Sequence, residues 1–368
     1  MKPISPCPKP SYVSLSTLTM AAAMSCGLLL TACGGGGGGS SPAPAPVPVP
    51  APPPPAPAPT PVAGLSQADA TADAANATES GSASTAAIDE VFDSTVALNA
   101  LVAVASPGAA PRAHAQHATA QGGVITVTNE DIACPGGGTA TLSISGGTVA
   151  SEQNDVLDAG ENYSITYTNC ARAAGLPTLN GQATLDVVSI SSDASPVTAV
   201  TITTTNLALT LPQGSVTANG SATLSRSSVT ANGSTTTTSA ITAGTSSAFT
   251  LATSFNSRTG SYSVTNLNAT RTATSTASGP SGSSYSGTHT LAGTANARTF
   301  SFTSATNSAT TYDATGTPTA GDWLVTRSDA TIHAVVSNGS VTLTVDDTTG
   351  ALENTFTFPV ATLVAAAG

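Results

Sequence analysis

Three kinds of residue in this chain have types and spacings that could do chemistry. The first is acidic. The stretch "SEQNDVLDAGENY" brings Glu152, Asn154, Asp155, Asp158 and Glu161 together. Clustered loop carboxylates suit Ca²⁺, which takes about six to eight oxygen ligands, so Asp155, Asp158 and Glu161 are candidate calcium ligands. A second stretch, "DDTTGALE", offers Asp346, Asp347 and Glu353 around a turn glycine. Neither follows the EF-hand spacing, and Asp and Asn also cap their own backbone in polar turns. Both readings stand. The second kind is histidine. His114 and His117 form an H-x-x-H in a polar, irregular stretch that reads as a solvated linker. His289 and His333 fall on expected strands, where an outward, solvent-facing position is expected. The third kind is cysteine: Cys7, Cys26, Cys33, Cys134 and Cys170.

The familiar catalytic patterns are missing. There is no G-x-S-x-G nucleophile elbow, no H-E-x-x-H and no C-x-x-C. The only lysines are Lys2 and Lys9, so no phosphate-binding loop lysine follows them. The expectation is a protein without catalytic residues and without a cofactor.

Cys33 stands inside "LLLTACGGGGGGSS", where an apolar run meets six glycines. Lys2 and Lys9 give a positive start, and the run from Leu18 to Ala32 follows. That run is shorter than the about 20 residues that span a bilayer, so residues 1–32 read as an export signal. Leu30-Thr31-Ala32-Cys33-Gly34 resembles the lipobox of bacterial lipoproteins. The resemblance implies cleavage before Cys33, acylation of its sulfur, and a place on the bacterial outer membrane, facing periplasm or cell surface. Each buried methylene contributes about 0.8 kcal/mol, so two or more acyl chains hold stably where one does not.

With the signal removed, seven arginines face twenty acids, a net charge of −13. Such a balance argues against nucleic acid or an anionic lipid surface as a partner. The lipid anchor is then the expected membrane contact, and any protein, glycan or lipid partner is unspecified. Charged residues are 8% of the chain and aromatics 4%. Ser, Thr, Ala and Gly fill the space, and β-branched threonine favours strands. Loss of Cys7 and Cys26 and acylation of Cys33 leave Cys134 and Cys170, for which export predicts a disulfide.

Composition divides the chain. Residues 33–86 read as a lipid-anchored flexible stalk. Within it "PAPAPVPVPAPPPPAPAPTPVA" (42–63) favours extended polyproline II, and 64–86 shows no periodicity and reads as disordered. In residues 87–122 a short helix over 87–105 is expected, followed by a linker. Ile88, Val91, Phe92 and Val96 follow the helical period, Asp89 and Glu90 favour its first turn, and Pro107-Gly108 ends it. Its apolar stripe should cap a sheet.

Residues 123–368 read as one antiparallel β domain. In "TIHAVVSNGSVTLTV" a two-residue Asn338-Gly339 turn would set Ile332, Ala334 and Val336 beside Val345, Leu343 and Val341. Asn219-Gly220 and Asn232-Gly233 repeat the turn signal. Phe249, Leu251 and Phe255 share one strand face, and Phe300 with Phe302 and Phe356 with Phe358 mark two further strands. In "VTAVTITTTNLALTL" the apolar parity changes between Ile202 and Leu207, which predicts a bulge. Pro359 predicts an edge or bulged final strand. The expected fold is all-β: a large curved antiparallel sheet, a sandwich or an open barrel, with one short N-terminal helix. A β-solenoid is the alternative.

"CPGGGTATLSISGG", "LDAGENYSITYTNC" and "VTLTVDDTTGALENTFTF" are similar to a pattern in Ser/Thr-rich β-domain lipoproteins of proteobacteria. The resemblance implies a β-rich exported domain and carries no activity with it. The expected role is a non-enzymatic envelope lipoprotein presenting a β domain on a stalk for structural, adhesive or partner contact. The alternative is a periplasmic or surface carrier of an apolar ligand on the concave sheet face.

Overall fold

The computed structural model describes residues 64–104, 125–147, 157–174, 177–191, 197–211, 214–255, 258–277 and 279–366. Cys33, the expected export signal, the proline tract, Asp155, His114 and His117 lie outside them.

The first element among the described residues is a 38-residue helix, α1 (Gln67–Val104). Ser66 caps it: the Asp69 N–H donates to Ser66 Oγ at 3.1 Å, and Ser66 Oγ donates back to the Asp69 carboxylate. This reciprocal cap satisfies an otherwise orphaned donor. The helix therefore begins twenty residues before the expected residue 87. The boundary at 86 between stalk and helix falls inside it, and 64–86 is ordered. The periodicity test failed there because α1 is buried on nearly every side. An all-round buried helix shows no polar face. Its many hydroxyls are satisfied locally: Thr71, Thr78, Ser84, Thr85 and Thr95 each donate to a carbonyl three or four residues back.

Among the described residues fifteen strands follow, all in one antiparallel sheet. They are β1 (Ile125–Ala133), β2 (Thr139–Gly146), β3 (Glu161–Ala171), β4 (Thr178–Ile190), β5 (Val197–Leu211), β6 (Gly214–Ala231), β7 (Ser234–Ala243), β8 (Phe249–Phe255), β9 (Arg258–Thr276), β10 (Gly279–Ala295), β11 (Arg298–Tyr312), β12 (Pro318–Thr326), β13 (Ala330–Ser337), β14 (Ser340–Asp347) and β15 (Leu352–Pro359). A short helix, α2 (Val360–Ala366), ends the described chain. Strands pair in chain order, with one variation. β7 and β8 both pair with β6 and β9, so they occupy one lane end to end. Consecutive antiparallel pairing is not a solenoid, and the alternative falls.

The sheet curls around α1, which touches β1, β4, β5, β6 and each of β9 to β14, while α2 packs against α1, β14 and β15. Among the described residues β1 pairs only with β2 and β15 only with β14. The curl thus has a seam.

The expected hairpin is present: Ile332 pairs with Val345, Ala334 with Leu343 and Val336 with Val341. Asn338 and Gly339 take the positive φ of 50° and 74° that this turn requires. The register slips between Thr204 and Leu207, as the parity change predicts. Pro359 ends a strand at the sheet edge. Asn232-Gly233 is a tight turn between β6 and β7. Asn219-Gly220 is not a hairpin: it lies within β6, opposite the slip, where the Asn206 N–H donates to Asn219 Oδ1 at 2.5 Å. The dipeptide's tolerance of unusual backbone served a bulge instead of a reversal.

Candidate functional site

The polar chemistry of the described residues is concentrated inside the curl. Arginines on the inner face of the sheet meet acids on α1 in two groups. In the first, Asp69 lies 3.2 Å from Arg298, Asp73 lies 3.2 Å from Arg298, and Asp73 also pairs with Arg327. Asp329 holds the far side of Arg327 at 2.7 Å. In the second, Glu90 pairs with Arg172 at 3.2 Å, Asp89 with Arg271 at 3.0 Å and Arg226 at 3.5 Å, and Asp93 with Arg226 at 2.8 Å. Ser239 donates to Asp89 at 2.7 Å. The Arg226 guanidinium also lies over the Phe92 ring, 5.0 Å from its centre.

Burial pushes the Asp73, Glu90 and Asp93 carboxyls above the ordinary carboxylate range, and the facing arginines pull them back. A small pocket opens in the second group, lined by Ala86, Asp89, Glu90, Asp93, Arg226 and Arg271, with Thr237 and Ala273 beside them. Its carboxylates and guanidiniums are counter-ions to one another. A paired carboxylate is poorly placed to serve as a general base.

Between the two groups lies a polar layer around Ser80 and His289, with the Glu79 carboxylate near Tyr262 and Tyr312. His289 is 3% exposed, its Nε2 3.2 Å from Ser80 Oγ and its Nδ1 3.5 Å from the Tyr285 hydroxyl. Burial lowers its pKa to about 4. The outward position expected for His289 is therefore wrong: it points at the helix. A cavity-facing polar group with its own hydrogen bonds overrode the general preference of histidine for the surface. Trp323, fully buried, donates its indole N–H to the Ala74 carbonyl at 3.2 Å. Gly81 belongs to this layer, since a Cβ there would collide with the Tyr285 hydroxyl.

His333 does face outward, with Nε2 2.7 Å from the Asp322 carboxylate. Cys134 and Cys170 form a disulfide with Cα atoms 5.4 Å apart. The Gly-rich turn between them folds onto the end of β3: Gly136 N–H donates to the Ala171 carbonyl, and Ala171 N–H to that of Gly137. The bridge and turn fix the backbone two residues before Arg172.

The calcium candidates are placed differently. Glu161 is buried, and its Oε2 accepts from the Asp158 N–H at 2.8 Å and the Tyr163 hydroxyl at 2.6 Å. Asp347 Oδ1 accepts from the Thr349 N–H, the Thr349 hydroxyl and the Ala351 N–H. Those bonds, Thr349's first, hold its carboxyl below the usual range. Both are self-capped turns. Among the described residues no three His, Cys, Asp or Glu side chains gather to hold a metal ion.

The ion pairs escaped the sequence reading, although a signal was present. Arg226 shares parity with Ala222 and Leu224, Arg271 with Leu267 and Ala269, and Arg298 with Phe300 and Phe302. Each arginine occupies an inward position. Acids spaced by four, Asp69 with Asp73 and Asp89 with Asp93, mark the facing helix.

Known protein families, curated proteins and solved structures give no match to this chain.

Proposed function

We propose that the protein is a lipid-anchored envelope lipoprotein that presents its β domain on a proline-rich stalk for structural, adhesive or partner contact, without catalysis. Cys33 carries the anchor, residues 42–63 give reach, and the described domain begins one residue after that tract. The observation that supports presentation over carriage is the filled interior. The concave face a carrier would need is occupied by α1, and its polar groups are engaged with that helix. Contact with a partner then falls to the outer face. Between residues 194 and 312 the sequence contains no acid. The arginines Arg226, Arg271 and Arg298 of that stretch turn inward. The outer face there is mainly threonine and serine, including contacts such as Thr203 with Ser221 and Thr230 with Thr235. Fractionation of cells expressing Cys33→Ala tests the anchor. The expected result is release from the membrane and loss of fatty-acid labelling, and a variant that stays labelled and membrane-bound refutes it. Protease treatment of whole cells reads which side of the membrane the domain faces.

A further inference from the structure

The inner face of the sheet has the character of a receptor whose present occupant is α1. Among the described residues, Arg172, Arg226, Arg271 and Arg298 each form ion pairs with α1, and Arg327 divides itself between Asp73 and Asp329. Two arginines meet Asp69 and Asp73 near the start of the helix, and three meet Asp89, Glu90 and Asp93 just past its middle. Asp73 and Asp89 are sixteen positions apart, about 24 Å along a helix at about 1.5 Å per residue. A neutral apolar core would hold a helix at least as tightly; buried ion pairs are better attested as devices that fix register. Sliding α1 by one turn would carry its carboxylates off the facing arginines and leave both signs buried without a counter-charge. The rest of the contact is suited to separation too. α1 buries mostly Ala, Ser and Thr, with Ile88, Val91 and Leu98 its largest fully buried aliphatics. The seam between β1 and β15 lets the curl open without breaking a strand pairing among the described residues.

We propose that this arginine-studded inner face binds acidic helices carrying two carboxylate groups in that spacing, and that α1 of a second copy can take the place of the chain's own. Strand pairing within each copy is unchanged by the exchange. The proposal does not depend on the lipid anchor.

The test uses the full mature chain with a protease site inserted in residues 105–122, folded first and nicked afterwards. The probe is a fluorescent synthetic peptide of residues 64–104. The nicked helix should remain with the sheet on gel filtration, and the labelled peptide should replace it over time while the strand signal in circular dichroism persists. A peptide carrying Asp89→Asn, Glu90→Gln and Asp93→Asn should bind more than about a hundredfold more weakly, because it leaves three arginines buried without counter-charge. A neutral peptide that exchanges as well as the acidic one overturns the charge code. Failure of the acidic peptide to enter a folded nicked chain, or collapse of the strand signal when the helix leaves, overturns the receptor itself.

Discussion

Arg172 and Glu90, 82 positions apart in the chain, meet inside the sheet at 3.2 Å, with side chains 8% and 4% exposed. The guanidinium makes two contacts to the carboxylate, from Nε to Oε1 and from Nη2 to Oε2. Removing one partner leaves the other charge buried. Glu90→Ala should therefore cost about 3–5 kcal/mol of stability, whereas the paired change Glu90→Leu with Arg172→Met should cost much less. Urea titrations of the two variants check this. Equal losses would mean the pair is not the determining contact.

The bridge that precedes Arg172 makes a second expectation. Cys134 and Cys170 close a loop of 36 positions. Reduction, or Cys134→Ser with Cys170→Ser, should cost about 2–4 kcal/mol. It should also weaken the effect of Glu90→Ala, because the backbone that aims Arg172 is loosened. A double-mutant cycle on melting temperatures reads that coupling.

His289 sets a pH dependence with a definite sign. Its pKa falls from 6.5 to about 4 on folding. Between those values the unfolded chain binds the proton and the folded chain does not, so stability falls as pH drops through that window. The full loss amounts to roughly 3 kcal/mol at about 1.4 kcal/mol per unit. Asp73, Glu90 and Asp93, raised by burial, act in the opposite sense as pH rises above the ordinary carboxylate range. The difference between the natural chain and His289→Gln isolates the histidine. That difference should shrink steadily from pH 7 to pH 4, and a constant difference would count against a neutral buried imidazole.

Gly81 should resist improvement. Alanine is the better helix former by about 1 kcal/mol, yet a methyl at this position would strike the Tyr285 hydroxyl. Gly81→Ala should lower stability by about 1–3 kcal/mol. Adding Tyr285→Phe should recover part of the loss. Calorimetry of the single and double variants is the check.

The hairpin at Asn338-Gly339, the bulge near Thr204 and the edge position of Pro359 were legible because each rests on neighbours in sequence. Alternation and turn chemistry suffice for them. The extent of α1 was not. Its first twenty residues are mostly Ala, Ser, Thr, Asp and Asn with no stripe, a composition that reads as solvated chain. What orders them lies far off: Arg298, Arg327 and Trp323, all beyond residue 290. The same distance hid the site. Asp89 and Glu90 look like acids of an N-terminal turn, and only their partners on β6, β9 and the end of β3 show that they point into the fold.

The pairing of Asp73 with Arg327 spans 254 positions. During synthesis the acid is among the first parts of the domain to be made, and its cation waits until twelve of the fifteen described strands are complete. Contacts this distant in sequence make folding slow and late, because the loop must close before the contact rewards it. A chain interrupted before Arg327 leaves Asp73, fully buried, with Arg298 as its one arginine partner among the described residues. That one pair thus ties the start of the helix to the late strands: the interior around Asp73 closes in full only once the chain has been made as far as Arg327.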